Sequence, residues 1–499
     1  MAEFGLSNWL VVVAFLVATT WFGHKMSGKV KGLDGFFLGG NSLPWWAVSG
    51  SIVASQLSAV TIVAVPGFLF RDTGNLLFLQ GTLIGFILAK FLMVLIFLKP
   101  YYEKKIYSPY DFIENRLGSR VSSLARILFV VGAIFGHGIR LLTVALVFSV
   151  VAGIPIGNSI LIMGVFAIIW TLMGGVKTVI WTDFLLLLVI LAGVIFTIIQ
   201  LAGAIPFGLG EAMDRFRDAD KLTLFDFSLN PKITWTVWTS LICFTVFELA
   251  QNSVDQVITQ RMMCCKDWRE ARKAVLGSLV IIAITLMMAV VGLGVWLYYR
   301  VNPLPPKIAA FLAEQPSRAY PYYVIDRLPA GLSGLIIAAI FAAGISTLDS
   351  AIAALSETSI NGFYKKYINK AGEDKHYLYA SRVAVVAWGV ILAGLAYAWG
   401  KLVQNEAMLN LAYKAPVLTY GPMLMIALCA INRRFTPIAI FTGTAMGVIT
   451  ALAMLVMNAC GKGLVVDGFW IYPATCIVFV IGAGIVSLGG VNKNSLPNV

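Results

Sequence analysis

Residues 51–61 read Ser51-Ile-Val-Ala-Ser-Gln-Leu-Ser-Ala-Val-Thr61 and sit in the middle of an apolar run covering 45–70. Polar side chains at that depth are costly beside lipid, so the run reads as a helix interrupted where it faces protein or a cavity. A second run, 233–261, carries the same interruption at Glu248-Leu-Ala-Gln-Asn-Ser-Val-Asp-Gln256. The two runs are five spans apart and so cross a bilayer in opposite directions. Interrupted helices in corresponding places of two inverted halves point to a transport site at the midplane, where unwound carbonyls ligate an ion or solute. The plainer alternative is hydrogen-bond glue between helices.

Working outward, thirteen apolar runs read as spans: 7–26, 45–70, 75–99, 123–152, 156–175, 178–204, 233–261, 272–299, 331–358, 378–400, 407–431, 436–459 and 468–489. Each is long enough for the hydrocarbon core of a bilayer. The 499 residues are 59% hydrophobic and 12% charged, half the charge of a soluble domain at roughly 25%. That excludes an ordinary soluble enzyme, a disordered chain and a coiled coil, and predicts an all-α integral membrane protein. The net charge of +13 is spread over short loops without a nucleic-acid motif, so no nucleic acid is expected as a partner. Six Cys without a Cys-x-x-Cys pair, and three His, offer no metal or disulfide framework.

Charge position also predicts orientation. Glu3 precedes the first run, and Lys25, Lys29 and Lys31 follow it, the polarity of an anchor with its N-terminus outside. Alternating from there places 23 Lys and Arg at the cytoplasmic side against 11 at the other, with the C-terminus cytoplasmic. Three basic residues stay within spans: Lys90, Arg140 and Lys414. The expected location is a bacterial-type plasma membrane, crossed many times, with the single chain in lipid as the working unit.

The ninth span reads Ala338-Ala-Ile-Phe-Ala-Ala-Gly-Ile-Ser346-Thr347-Leu-Asp349-Ser350. Ser346, Asp349 and Ser350 share one helical face, and Ala343 and Thr347 a neighbouring stripe. Hydroxyls, carbonyls and a carboxylate suit a hard cation such as sodium. Asp183, in Gly174-Gly175-Val-Lys-Thr-Val-Ile-Trp-Thr-Asp183, is a second intramembrane carboxylate. It reads as an ion ligand or as a cap at the start of its helix.

Four stretches carry a resemblance over nearly the whole chain. They are Gly175-Val-Lys-Thr-Val-Ile-Trp-Thr-Asp183, Asp255-Gln-Val-Ile-Thr-Gln-Arg261, Leu328-Pro-Ala-Gly-Leu-Ser-Gly-Leu-Ile-Ile-Ala-Ala-Ile-Phe-Ala-Ala343 with Ser346-Thr347, and Tyr420-Gly-Pro422. The chain resembles the sodium/solute symporter family, which includes sodium/glucose and bacterial sialic acid symporters. The resemblance implies a LeuT-type fold of two inverted five-helix repeats. The first would occupy 40–204 and the second 233–431, after an extra helix in 1–30 and before two more in 436–490. It implies Na+ as the coupling ion. The shared sodium site maps to the carbonyls of Ala54, Leu57 and Ala343 and the hydroxyls of Ser346 and Thr347. A second site, from the sialic acid branch, maps to Asp183, Ser346, Asp349 and Ser350, with Asp349 standing where that branch has Ser. That carboxylate favours either a stronger cation site or a proton.

The resemblance maps solute contacts to Gln56, Ser58, Thr61 and Gln80, and to Lys414, which takes the position of a sugar-binding Gln. The branch's carboxylate-binding Arg aligns with Gly136, and Arg140 lies one turn on. Two buried cations imply an anionic solute such as sialic acid or another carboxylate. Arg140 snorkelling outward, or Lys414 paired with Glu248, are the plainer readings. The chain is therefore expected to be a transporter and not an enzyme. A neutral sugar carried with sodium, and proton coupling through Asp183 and Asp349, remain the alternatives.

Overall fold

The computed structural model describes residues 4–27, 32–57, 59–103, 106–402, 415–432, 434–461 and 466–488. All regular structure among the described residues is helical, as lipid requires of a chain that must satisfy its backbone within each span. Helix α1 is Leu6–Ser27, and the 45–70 run becomes α2 (Trp45–Gln56) and α3 (Ala59–Phe70). Next come α4 (Leu76–Tyr101), the short α5 (Pro109–Leu117), α6 (Ser119–Ala152), α7 (Ile156–Met173) and α8 (Gly175–Ala204). A long connection holds α9 (Leu209–Asp218). The 233–261 run then forms a wide turn at Thr239–Phe244, α10 (Thr245–Ser253) and α11 (Gln256–Met262). The longer helices that follow are α12 (Trp268–Val301), α13 (Leu332–Ser359), α14 (Asp374–Lys401), α15 (Tyr420–Asn432), α16 (Pro437–Cys460) and α17 (Ile471–Leu488), with the short helices Pro306–Glu314 and Ala319–Arg327 between α12 and α13.

Among the described residues ten helices are long and apolar enough to cross a membrane, and eleven if α2 and α3 count as one span bent by 48°. The thirteen expected spans are thus not all matched. The 233–261 run divides into pieces too short to cross, because Asp255 is extended (φ −78°, ψ 123°) and its carboxylate accepts from Val257 N–H, capping α11. The 407–431 run lies partly outside the described residues, leaving the shorter apolar helix Pro416–Asn432.

Helix α13 is the axis of the bundle, buried along almost its whole length against α1, α6, α7, α8 and α14. Its small residues permit that approach: a Cβ on Gly344 would stand 2.3 Å from a Val144 methyl. Between α7 and α8 the chain reverses at Gly175 (φ +61°), which lies against the Phe36 carbonyl, so neither a side chain nor ordinary backbone geometry fits there. This turn, α5 and the C-terminal end of α11 gather at one end of the bundle, the α5 end. The opposite, α9 end is stapled by Lys221. Its ammonium donates to the carbonyls of Leu69, Gly74 and Asp72 (2.9, 2.9 and 3.3 Å) and of Arg71, at and just past the C-terminal end of α3.

Candidate functional site

Helix α2 stops at Gln56, and Leu57 caps it with its N–H on Val53 O (2.7 Å). A helix that ends here leaves its last carbonyls without continuing partners. Ala54 and Leu57 supply two of them, and both residues are buried. Across the contact between α2 and α13 lie Ala343, Ser346 and Thr347, also buried. Thr347 donates to Ala343 O (2.9 Å), and Ser346 donates to Asp183 Oδ1. Both hydroxyl protons are thereby committed, and both oxygens keep lone pairs for a cation. All five residues of the first expected ion site thus fall on α13 or at the C-terminal end of α2, two helices in contact.

The residues of the second expected site also converge. Asp183 on α8 is fully buried and accepts from Ser346 on one oxygen and from Ser51 on the other (2.5 Å). It does not cap a helix. Its partner is Arg261, equally buried, which donates to Asp183 Oδ2 (3.2 Å), Ser51 Oγ (2.9 Å), Val257 O (2.6 Å) and Ser350 Oγ. The guanidinium joins α11 to α2, α8 and α13. Asp349 accepts from Ser350 through Oδ1 (3.1 Å), while its buried Oδ2 has no partner. Ser51 was not among the expected residues. Its spacing signal is its place in the serine- and glutamine-bearing stretch, one turn before Ser55.

Lys90, unassigned from sequence, joins the two interrupted helices. It is fully buried and donates to Asn252 Oδ1 on α10 (2.7 Å) and Gln56 Oε1 on α2 (3.1 Å). Asn252 in turn donates to the carbonyl and carboxylate of Glu248 (2.7 and 3.2 Å). Phe86 lies under the ammonium at 5.0 Å. Gln56 and Asn252 mark equivalent breaks, so one cation between them ties break to break.

The expected solute residues divide. Gln56 is half-buried in the Lys90 network, and Thr61 is half-buried on α3. Gln80 is held elsewhere: its amide donates to Leu77 O and Trp235 O (3.1 and 3.2 Å), and its oxygen accepts from Asp226 N (3.2 Å). It braces the connection before α10. Ser58 and Lys414 lie outside the described residues. Arg140 is half-buried within α6, and among the described residues it makes no hydrogen bond or ion pair. Glu248 and Asp255 are its acidic neighbours. One turn back, a Cβ on Gly136 would meet nothing within 4 Å, and the buried His137 Nδ1 is unpartnered. Open space, a free guanidinium and a free imidazole nitrogen thus share this part of α6.

At the α5 end, the helices that carry these groups are clamped. Tyr101, Tyr110 and Tyr102 donate to the carbonyls of Ser253 (2.7 Å), Val254 (2.8 Å) and Met262 (2.7 Å). Gln256 reaches Tyr107 O and Glu357 (3.0 Å each), and Tyr420 reaches Asp255 (2.5 Å). Helix α5 itself starts with a Ser108/Asp111 capping box, as its sequence suggests. Arg126 of α6 pairs with Asp111 (2.7 Å) and Glu114 (3.1 Å), and Lys366 with Glu114. Burial raises the Glu114 carboxyl, but Lys366 and Arg126 outweigh it and hold the group below its ordinary 4.5.

Comparison with known proteins follows this geometry. The model of the sodium:solute symporter family matches residues 36–458. The sodium/sialic acid symporter SiaT of Proteus mirabilis is 27% identical, over 97% of this chain and 95% of its own. The corresponding symporter NanT of Aliivibrio fischeri is 26% identical over 96% and 93%. The bovine sodium-coupled monocarboxylate transporter 2 is 25% identical over 95% and 74%. A solved structure, described as the substrate-bound outward-open state of a Na+-coupled sialic acid symporter with a novel Na+ site, superposes with a TM-score of 0.85. It is 22% identical and covers 99% of this chain and 100% of that one. The L-phenylalanine complex of MhsT gives 0.51 at 15% identity, over 88% and 97%. These likenesses establish the LeuT-type fold.

Proposed function

The chain belongs to the sodium:solute symporter family, and from that premise we propose that the solute it carries with sodium is a small organic carboxylate of the sialic acid type. It is a multi-pass membrane transporter and not an enzyme. The single observation that carries the solute reading is Arg140: a guanidinium within a span, half-buried, unpaired among the described residues and beside the open space at Gly136. A guanidinium at such a depth is stable when a carboxylate meets its fork. The relatives reported above carry sialic acid or monocarboxylates by name, and both are carboxylate solutes.

Sodium would be held by the carbonyls of Ala54, Leu57 and Ala343 and the hydroxyls of Ser346 and Thr347, an all-oxygen set suited to a hard cation. Binding there joins α2 to α13, so ion occupancy and the break beside Gln56 are mechanically linked. A second cation interacts with Asp349, since Arg261 neutralises one of the two carboxylates of its cluster and leaves the other unmatched. The α5 end faces the cytoplasm, as the basic loops require, and the membrane is of the bacterial plasma type. Solute entering beside Arg140 then leaves when the tyrosine and ion-pair clamp at the α5 end opens.

The test is purified protein in detergent, heated with and without sodium against a panel of sugar acids, simple carboxylates and neutral sugars. Sodium-dependent stabilisation by acids, lost in Arg140→Gln, is the expected result. Equal stabilisation by a neutral sugar would move the reading to the sodium-coupled neutral sugar class.

A further inference from the structure

The connection between α8 and α10 ends in a stretch that runs across the α9 end of the bundle. Residues 223–230 form no helix, and burial alternates along them. Phe225, Phe227 and Leu229 are 47, 68 and 80% exposed, while Leu224, Asp226 and Ser228 are half-buried. A period of two is that of an extended chain, so the three large apolar side chains form one outward row. The Phe225 and Phe227 rings lie 6.4 Å apart along it. The inward side is tied to three elements. Asp226 N–H donates to Gln80 Oε1 (3.2 Å) near the start of α4, and Asp226 O accepts from Val237 N–H (2.8 Å). Phe227 O accepts from Trp238 Nε1 (3.2 Å), and Pro231 O accepts from Asp467 N–H (2.8 Å), just before α17. The stretch is a strap, held by its backbone and presenting its apolar side chains outward.

Two aromatic rings and a leucine exposed in one row mark a surface that something covers. Three observations identify the cover as lipid. First, the row continues an apolar surface of the bundle. Trp238, whose indole is bonded to the strap, is 38% exposed, and Leu241 and Ile242, three and four residues on, are 38 and 41% exposed. They open the apolar 233–261 run, and a Trp at the end of such a run is usual at a membrane–water interface. Second, the strap satisfies much of its own backbone. The N–H groups of Ser228, Asn230 and Lys232 donate to Asp226 Oδ1, Ser228 Oγ and Asn230 Oδ1 (2.7, 3.2 and 3.0 Å). A chain bonded in this way can lie where water is scarce. Third, the row is too small for a protein partner. Three partly exposed side chains offer on the order of a few hundred Å², against the roughly 1,000 Å² that a specific protein interface clears.

We propose that Phe225, Phe227 and Leu229 form a membrane-surface anchor, inserted in the interfacial layer of the phospholipid leaflet at the α9 end. Apolar side chains on one face of a surface segment bind that layer by burying their area roughly 5–10 Å into the boundary between headgroups and acyl chains. Through Gln80, Trp238 and Asp467, the anchor holds the ends of α4, of the second interrupted run and of α17 at one depth. The strap is thereby part of the lipid-facing surface and not an aqueous loop. The proposal rests on the membrane-spanning fold and on neither the ion nor the solute assignment.

The test is quenching of a bimane label on the full chain, in lipid nanodiscs that hold one copy each. Labels are attached at Phe227→Cys, at Leu229→Cys and, as a control in the same connection, at Asp214→Cys, an exposed position of α9. All carry Cys460→Ser, which removes the exposed native cysteine. Lipid brominated high on its acyl chains should remove most of the fluorescence at positions 227 and 229 and little at 214, and iodide in the water should do the reverse. Both row positions already point outward, and either reports on the anchor if the other variant fails to fold. Iodide quenching at 227 and 229 equal to that at 214, without quenching by bromolipid, overturns the anchor. So does a row shielded from iodide only when two copies share a disc, which would make a second copy the cover.

Discussion

Lys90 and Arg140 are both basic residues inside spans, and their surroundings differ. Lys90 has acceptors for two of its three protons in Asn252 and Gln56, with Glu248 behind them. Lys90→Met therefore leaves the buried amide oxygens of Asn252 and Gln56 without their donor and should destabilise by about 1–3 kcal/mol, the cost of unsatisfied buried acceptors. Thermal midpoints of wild type and Lys90→Met check this, and an unchanged midpoint would contradict it. Arg140 has no such partners among the described residues, so Arg140→Gln should leave the midpoint without solute nearly unchanged. It should raise the KM for a carboxylate solute about tenfold or more, since a charge-assisted contact is worth roughly 1.5–3 kcal/mol. Sequence put both residues at intramembrane depth, offered Arg140 as an anion contact through the resemblance and left Lys90 unassigned. The structure adds that α4 lays Lys90 between two breaks, while Arg140 lies one turn from the open space at Gly136.

The elements tell a similar story. Both breaks were legible because they carry polar residues where a plain span would be apolar. What sequence did not reveal is that the break between α10 and α11, and α11 itself, are pinned by four long-range contacts. Tyr101, Tyr110, Gln256 and Arg261 find partners more than 70 residues away. Gln80 went the other way: the family resemblance suggested a solute contact, but the connection before α10 folds back and claims both ends of its amide. The α5 clamp yields a pH prediction. Glu114 sits below its ordinary 4.5 because Lys366 and Arg126 outweigh burial. A carboxyl lowered by folding contributes stability above its unfolded value and loses it as pH falls through its folded one. The midpoint difference between wild type and Glu114→Gln should thus be constant at neutral pH and close below about 4.5. The group is partly exposed, so the effect will be modest. A difference that persists at low pH would exclude the ion pairs as its source.

For the whole molecule, composition was enough for the class, and periodicity for most spans. The count of thirteen was limited at 233–261, where the break leaves no single helix long enough to cross. The assembled bundle brings Asp183, Arg261 and Asp349 from three separate helices into one cluster, and under the two-cation proposal that cluster sets the charge moved per cycle. Two sodium ions with a monovalent anion carry one net positive charge, for which 100 mV supplies about 2.3 kcal/mol. An inside-negative potential should therefore speed uptake in wild type and lose much of that effect in Asp349→Asn. Potential-independent uptake in wild type would mean a one-to-one exchange of charge. The most direct measurement is uptake of labelled sialic acid into proteoliposomes under an inward sodium gradient, beside an uncharged sugar of similar size. The account predicts concentrative, sodium-dependent uptake of the acid, absent when potassium replaces sodium and strongly reduced in Arg140→Gln. Uptake of the acid that ignores sodium, or equal uptake of the neutral sugar with Arg140→Gln unaffected, would contradict it.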